Sequence, residues 1–365
     1  MIAVDAMGGD YAPQTIVEGA VLAAGEFQIP VMLVGDKKVL EEELAKHETA
    51  DLPVHLQHAS QVVAMDEAPS QALRRKKDSS IRVAMQLVKN GEADAVFTAG
   101  HTGAALAAAT LILRPLKGVL RPALAAVFPS LKGHCIVLDV GANVDCKAIQ
   151  LFQFGIMGAV YAKYILGTMK PRVGLLSIGE EEGKGNETIL EAFQMFKRSS
   201  LHFIGNVGGK DVFSGQADVI VCDGFAGNAA LKFCEGLVDY YDALLGNLFG
   251  TPLRGGLATV LLKADLQRLK DKTDYTAMGG AALLGANGTC IIGHGSSSPR
   301  AVKSAICQAQ RLVTQHINTH IQDDIELNQD IQESAQAKGR LWQSIKESFQ
   351  RKGGPGEETP DDGET

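Results

Sequence analysis

The amino-acid sequence predicts an α/β fold, a parallel sheet carrying helices on both faces. Short apolar runs alternate with segments of helical length from one end of the chain to the other. The runs are apolar throughout instead of alternating with polar residues, as strands covered on both sides are. Polar, glycine-rich stretches fall at the carboxyl ends of the runs, which is where open α/β sheets bind ligands.

In chain order, IAVDA (2–6) is a strand, Thr15–Gly25 a helix and VMLVG (31–35) a strand. Ile81–Asn90 has helical periodicity, ADAVFTAG (93–100) is a strand and Thr102–Leu113 a helix. ALAAVF (123–128) and CIVLDVG (135–141) read as strands, and Lys147–Leu166 as a helix. RVGLLSIG (172–179), helix Glu187–Arg198, DVIVCDG (218–224), helix Gly227–Leu245 and CIIGHG (290–295) complete the series. Gly, Asp or Ser bounds each strand, and the alternation implies right-handed crossovers in a Rossmann-like α/β/α layering. DAMGGD, AGHTGA, DVGANVD, SIGEEEGKGNE, DGFAGN and GHGSS would then line one side of the sheet.

The expected organisation is a single domain over 1–323, a helical extension over 324–351 and a disordered acidic tail over 352–365. An amphipathic segment at about 250–271 breaks the strand–helix rhythm. In Leu253–Lys270, Leu253, Leu257, Val260, Leu261 and Ala264 share one stripe, and Leu262, Leu266 and Leu269 another. Such a segment either packs on protein, its own domain or a twin subunit, or enters lipid. In the second case Leu253, Leu257, Val260 and Leu261 meet the membrane and Arg254, Lys263, Arg268 and Lys270 meet anionic headgroups.

A net charge of −7 disfavours a general nucleic-acid binder, since phosphate backbones reward excess Lys and Arg. The cysteines are scattered without C-x-x-C and read as reduced, buried thiols of a cytosolic protein. MIAVDAMGGD lacks a basic region followed by a signal-peptide core, and no apolar run is long enough to span a bilayer. The reading is cytoplasmic, with contact at a membrane surface left open.

Several motifs fail on spacing. GEEEGKG misses G-x-x-x-x-G-K-[ST] by one residue and puts Gly185 where a magnesium-binding hydroxyl belongs. No G-x-G-x-x-G follows the first strand, and no G-x-S-x-G presents a serine. His134 and Asp139 lie five apart in a strand, facing opposite ways roughly 17 Å apart. His316 and His320, four apart on a helix, lack a third ligand nearby and read as an exposed face. RRKKDSSIRVAMQLVKNG precedes a clear helix, so Asp78 or Ser79 is an N-cap candidate. The same residues, Lys77, Ser79 and Ser80 with the free backbone N–H groups, could instead hold a small anion.

Taken together the loops resemble those of the bacterial acyl-acyl-carrier-protein:phosphate acyltransferase family. The matching blocks are IAVDAMGGDYAP, APSQALRRKKDSS, FTAGHTGA, LDVGANVD, RVGLLSIGEEEGKGNE, FIGNVGGKD, DVIVCDGFAGNAALK and GGAALLGANGTCIIGHGSS, in the family's order from residue 2 to about 300. His101 stands where the family reads Asn, whereas Thr102 and Gly103 match. The resemblance implies an isopropylmalate dehydrogenase-like fold, a homodimer and a role at the start of phospholipid synthesis.

It also implies transfer of a fatty acyl group from acyl carrier protein to inorganic phosphate, giving acyl phosphate. Phosphoryl groups have a second pKa of roughly 6 and thiols a pKa of about 8.5, so neither a serine relay nor a strong acid is required. The protein has to hold two anionic reactants together and stabilise an oxyanion, with no metal or cofactor. Lys184 and Asn186, beside Gly183 and Gly185, are expected to neutralise and orient phosphate. The crowded glutamates either hold the loop open or, for Glu180 and Glu181, are simply solvated. Asn143 and Asn228 are candidates to donate to the thioester oxygen. His294, with Ser296, either protonates the thiolate or is a hydrogen-bonded core histidine. Asp5, Gly8, Gly9, Asp10, His101, Thr102, Gly103, Asp145 and Asp223 are expected at the substrate, with loop-fixing the alternative for Asp139 and Asp223. Arg74, Arg75, Lys76, Arg114 and Arg121 are candidates to dock the acidic carrier protein. A downstream acyl-phosphate:glycerol-3-phosphate acyltransferase would take the product at the membrane. A phosphotransacetylase acting on acyl-CoA and a non-enzymatic membrane scaffold for acyl carrier protein are the competing readings.

Overall fold

The computed structural model describes residues 1–64, 66–249, 279–335 and 337. The strands are β1 (Ile2–Asp5), β2 (Val31–Gly35), β3 (Val54–His58), β4 (Ala95–Thr98), β5 (Ala123–Ser130), β6 (Gly133–Leu138), β7 (Val173–Leu176), β8 (Phe203–Val207), β9 (Val219–Val221), β10 (Ala281–Leu284) and β11 (Thr289–Ile292). They form one sheet in the order β3-β2-β1-β4-β11-β10-β5-β6-β9-β7-β8.

The strands follow from composition. IAVD, AVFT and VIV are β-branched or aromatic-rich and buried at every residue, as expected where helices cover both faces. On one face lie α1 (Gln14–Phe27), α6 (Ala148–Tyr164), α7 (Glu187–Arg198), α10 (Pro299–Thr314) and α11 (Ile317–Leu327). Ile16, Phe152, Phe196, Ile306 and Ile321 meet there over β1, β4 and β6. On the other face lie α3 (Pro69–Arg75), α4 (Ser80–Asn90), α5 (Thr102–Ala108, widening into a π-turn over Ala109–Leu113), α8 (Asp211–Ser214) and α9 (Gly224–Phe249). Leu73, Met85, Ala105 and Val212 form that core with Leu124, Ile220 and Cys290 from the sheet. The remaining helix, α2 (Lys37–Leu44), is capped by Asp36, whose carboxylate accepts from the Lys38 and Val39 N–H groups.

Every strand expected from sequence is present, and the sheet is mostly parallel. Three antiparallel pairings, β11–β10, β10–β5 and β5–β6, interrupt it. The chain direction is therefore reversed between β1, β4 and β11 on one side and β6, β9 and β7 on the other. This corrects the expectation that six glycine-rich loops share one side. They form two groups at opposite ends of the sheet.

β3, β8 and β10 were not legible as strands. β3 and β8 are edge strands whose half-exposed sequences, VHLQH and FIGNV, lack an all-apolar run. AALL in β10 is made of good helix formers and is extended because β5 and β11 flank it. α9 begins earlier and ends later than expected, and the expected boundary at 323/324 falls inside α11, with helical residues following at 329–335. The segment Leu253–Lys270, with Leu253, Leu257, Val260 and Leu261, and the tail 352–365 lie outside the described residues. Among the described residues no helix is long and apolar enough to cross a membrane.

Candidate active site between the two half-sheets

The first loop group follows β1, β4 and β11. Asp5 ends β1 and is 2% exposed. Its Oδ2 accepts from Thr98 Oγ1 at 2.8 Å, while its Oδ1 is buried without a partner. Burial raises its pKa above the ordinary value, opposed by hydrogen bonds from Ser80, Thr98 and the Met7 backbone. Gly8 permits this packing, because a Cβ there would lie 2.7 Å from Asp5 Oδ2 and 2.9 Å from Gly100 N. Beyond Gly9, the Asp10 N–H donates to the Gly295 carbonyl at 2.8 Å and joins the β1 and β11 loops. A cavity of about 10 Å³ beside Asp5, Ser80, Thr98 and His101 has room for one water.

His101 N-caps α5, its Nδ1 accepting from the Gly103 N–H at 3.0 Å. This is the work Asn does at such a position, so Asn and this His would be equivalent as caps. It also corrects the expectation for Gly103, whose N–H is already used. The anion site of Lys77, Ser79 and Ser80 is not built either. Lys77 is exposed, the two serines are buried, and Ser80 turns to the Asp5 carboxylate. Nor does either cap candidate cap through its side chain: Asp78 binds Ser60 N and Oγ, and Ser79 Oγ is unpartnered.

The second group follows β6, β9 and β7. Asp139 is fully buried. Its Oδ1 accepts from the N–H groups of Leu124, Gly141 and Ala142. Oδ2 accepts from Asn143 N and Nδ2. Burial raises its pKa, and these donors oppose the rise. Asn143 Nδ2 also donates to the Pro122 carbonyl at 2.8 Å. Both of its amide hydrogens are thus spent, and Asn143 cannot serve the thioester oxygen as expected. Asp223 accepts from Ala226 N at 2.8 Å and fixes the start of α9, whereas Asp145 is exposed.

The loop carrying Lys184 is shaped from below. Ser177 Oγ donates to the Lys184 carbonyl at 3.0 Å, and Asn206 Nδ2 to the Glu181 carbonyl at 2.8 Å. Gly183 is open to solvent, while Gly185 adopts φ +120 against Ile189. Asn186 Oδ1 caps α7 through Ile189 N, so only its Nδ2 remains for a ligand. Glu180 pairs with Lys210 and Glu182 with Lys197, and Glu180 and Glu181 are both exposed, in keeping with the solvated reading. Among the described residues the exposed Lys184 ammonium has neither an ion pair nor a hydrogen bond.

The first group and helix α9, which starts from the second, share a cavity on the α5/α9 face of the sheet. A cavity of about 170 Å³ is lined by Thr102 and His294 from the first group and Asn228, Lys232 and Glu235 from α9. Its floor includes Leu124, Ala126, Phe128 and Ile292. His294 is exposed, which removes the core-histidine alternative. Its Nδ1 lies 2.8 Å from Ser296 Oγ and 3.3 Å from Ser296 N, leaving Nε2 for a ligand. Lys232 pairs with Glu235 at 2.6 Å. Asp5, Asp10, Lys184 and Asn186 do not line this cavity.

The basic candidates do not form one patch. Arg74 and Arg75 are exposed at the end of α3, while Lys76 is tied to Glu67 and the Val62 carbonyl. Arg114 and Arg121, also exposed, precede β5 and lie toward the opposite end of the sheet. Of the histidines four apart, His320 stacks on Tyr164 with centroids 3.8 Å apart, and the described residues contain no group of three metal-ligating side chains. Sequence reasoning missed Thr98, Asn206, Lys232 and Glu235, because each matters through a contact distant in sequence or through its position on α9.

Fold and site together define a Rossmann-like α/β enzyme class with its cleft between two half-sheets. A phosphotransacetylase from Streptococcus pyogenes matches with a TM-score of 0.56 at 18% identity, over 85% of this chain and 93% of that one. A 4-hydroxythreonine-4-phosphate dehydrogenase from Klebsiella pneumoniae matches with a TM-score of 0.50 at 15% identity, over 87% and 99%. At such identities the likeness is one of fold. Sequence similarity goes further. The model of the family described as "Fatty acid synthesis protein" matches residues 1–320. The phosphate acyltransferase of Geobacter sulfurreducens is 50% identical over 325 residues, covering 89% of this chain and 94% of that protein. That of Syntrophotalea carbinolica is 46% identical over 336 residues, covering 91% and 97%. The chain belongs to this family and is an acyltransferase.

Proposed function

We propose that this protein transfers a fatty acyl group from acyl carrier protein to inorganic phosphate, yielding acyl phosphate for phospholipid synthesis, by direct attack of phosphate on the thioester. The observation that supports this most is the meeting of Thr102 and His294 with Asn228 across one cavity with an apolar floor. Asn228, with no internal partner among the described residues, would donate to the oxyanion. The Nε2 of His294, without a bond among the described residues, would face the departing thiolate. Donors preset for developing charge, in a site that needs no covalent relay, are what this reaction requires.

Lys184 would capture phosphate. It sits at the end of β7, beside β9 in the sheet, and β9 leads into the helix carrying Asn228. The neighbouring glutamates Glu180 and Glu182 are paired with other lysines, so Lys184 retains its charge for an anion. The expected homodimer, the docking of acyl carrier protein near Arg74 and Arg75, and contact with a membrane and a downstream acyltransferase belong to the same proposal.

The test is release of free carrier thiol by purified protein with and without phosphate, with acyl carrier protein and CoA thioesters compared as donors. Phosphate-dependent release favouring the carrier protein is expected, and release indifferent to phosphate sinks the reading. Lys184→Met should raise the phosphate KM at least tenfold with an unchanged Tm. Unaltered phosphate kinetics would remove Lys184 from the site.

A further inference from the structure

Beside the polar cavity a groove of about 680 Å³ runs between β5, α8 and α9. Its lining includes Phe128, Leu131, Phe213, Leu231, Leu237 and Tyr241, with the Cys234 thiol among them. Several of these are conspicuously wet: Leu131 is 88% exposed, Leu237 50% and Tyr241 56%. Apolar side chains so exposed in one contiguous patch mark a binding surface. The volume lies in the range of small-molecule sites, roughly 300–1,000 Å³. Phe213 stands edge-on to Phe128, centroids 6.3 Å apart, and forms one wall.

The groove is continuous with the polar cavity. Phe128, Leu231 and Glu235 line both. A molecule occupying the two together would have a polar, carbonyl-bearing end at Thr102, Asn228 and His294 and a long apolar remainder along α9. From Leu231 to Tyr241 the helix spans about 15 Å, far more than an acetyl group needs.

We infer that this groove seats the alkyl chain of the acyl substrate, and that Cys234 and Phe213 set the chain length accepted. The inference rests on the acyl-transfer reading above and gives that reading a place for its substrate. A second copy of the chain is the other occupant to consider. A flat self-contact gives no reason for the groove to open into a polar cavity, and an acyl chain does.

Two measurements on the full-length protein test it. In the first, iodoacetamide alkylation of Cys234 is followed by peptide mass spectrometry at alkaline pH with and without laurate. Burial raises the thiol pKa of both Cys234 and Cys307, and Cys307 packs against the core of the other face, so it serves as the internal reference. Laurate should slow alkylation at Cys234 at least fivefold relative to Cys307. Equal slowing at both sites, or none, overturns the assignment. In the second, Cys234→Trp and Phe213→Ala are compared with lauroyl and butyryl pantetheine thioesters. Each methylene loses about fourfold in affinity when its seat is filled, so Cys234→Trp should lower the lauroyl-to-butyryl ratio of kcat/KM about fifteenfold for two lost seats. Phe213→Ala should shift the ratio toward longer chains. An equal loss for both donors, together with conversion of a dimer to a monomer, shows a second copy in the groove and overturns the proposal. Protection of Cys234 without phosphate-dependent turnover leaves the groove standing and removes the reaction. Turnover without protection or a changed ratio does the reverse.

Discussion

Gly227 offers the sharpest test of how the site is held together. It lies in the first turn of α9, its N–H bonded to the Asp223 carbonyl at 3.0 Å. A Cβ added there would stand 1.9 Å from the Asp139 carbonyl oxygen and 2.9 Å from Cys222 Sγ. Real Cβ atoms do not approach closer than 3.0 Å, so Gly227→Ala must drive α9 and the Asp139 loop apart by at least about 1.1 Å. Neither side yields easily, because the Asp139 carboxylate binds the loop through Leu124, Ala142 and Asn143. Overpacking of this kind costs about 1–3 kcal/mol, equivalent to a fall in Tm of about 1–4 °C for a chain of this size. The next residue, Asn228, lines the cavity proposed as the active site, and misplacement by about 1 Å can cost on the order of 100-fold in rate. Gly236→Ala is the control on the same helix, since a Cβ there meets nothing within 4 Å and the substitution favours helix by about 0.5–1 kcal/mol. Calorimetry and the phosphate-dependent turnover number read both effects. Gly227→Ala with wild-type Tm and turnover would refute the claim that close packing of α9 on Asp139 places Asn228. A lowered Tm with unchanged turnover would show that Asn228 does not act where it stands.

Two further outcomes follow from the first loop group. His101→Ala should lose about 1 kcal/mol of stability with its cap, while His101→Asn should retain it, because either side chain can accept from the Gly103 N–H; equal urea midpoints for all three proteins would contradict the cap. Asp5, whose pKa burial lifts above 3.8, binds its proton more tightly in the folded than in the unfolded state. Its contribution is therefore complete below about the unfolded value and is lost as pH rises through the folded value. Asp5→Asn should consequently show a higher Tm than wild type at pH 8, and the difference should vanish below pH 3.8. Parallel Tm curves across that range would mean the buried charge is compensated.

The chain's own sequence determined the layered α/β architecture, the identities of the loop residues and the helices Glu187–Arg198 and Ile81–Asn90, to within a residue. Those features are local: an all-apolar run reports burial on both faces, and a glycine-rich break reports a tight turn. Resemblance of the loops also marked the family. Tertiary structure decided which loops share an end of the sheet, because the reversal across β10 and β5 arises from pairings between segments more than a hundred residues apart. It decided, too, which donors remain free. Asn143 and Asn228 are the same residue type in similar loops, yet Asn143 is consumed by Asp139 and Pro122 while Asn228 faces the cavity. A side chain's chemistry is written in the sequence, but its availability depends on what the fold has already bonded to it.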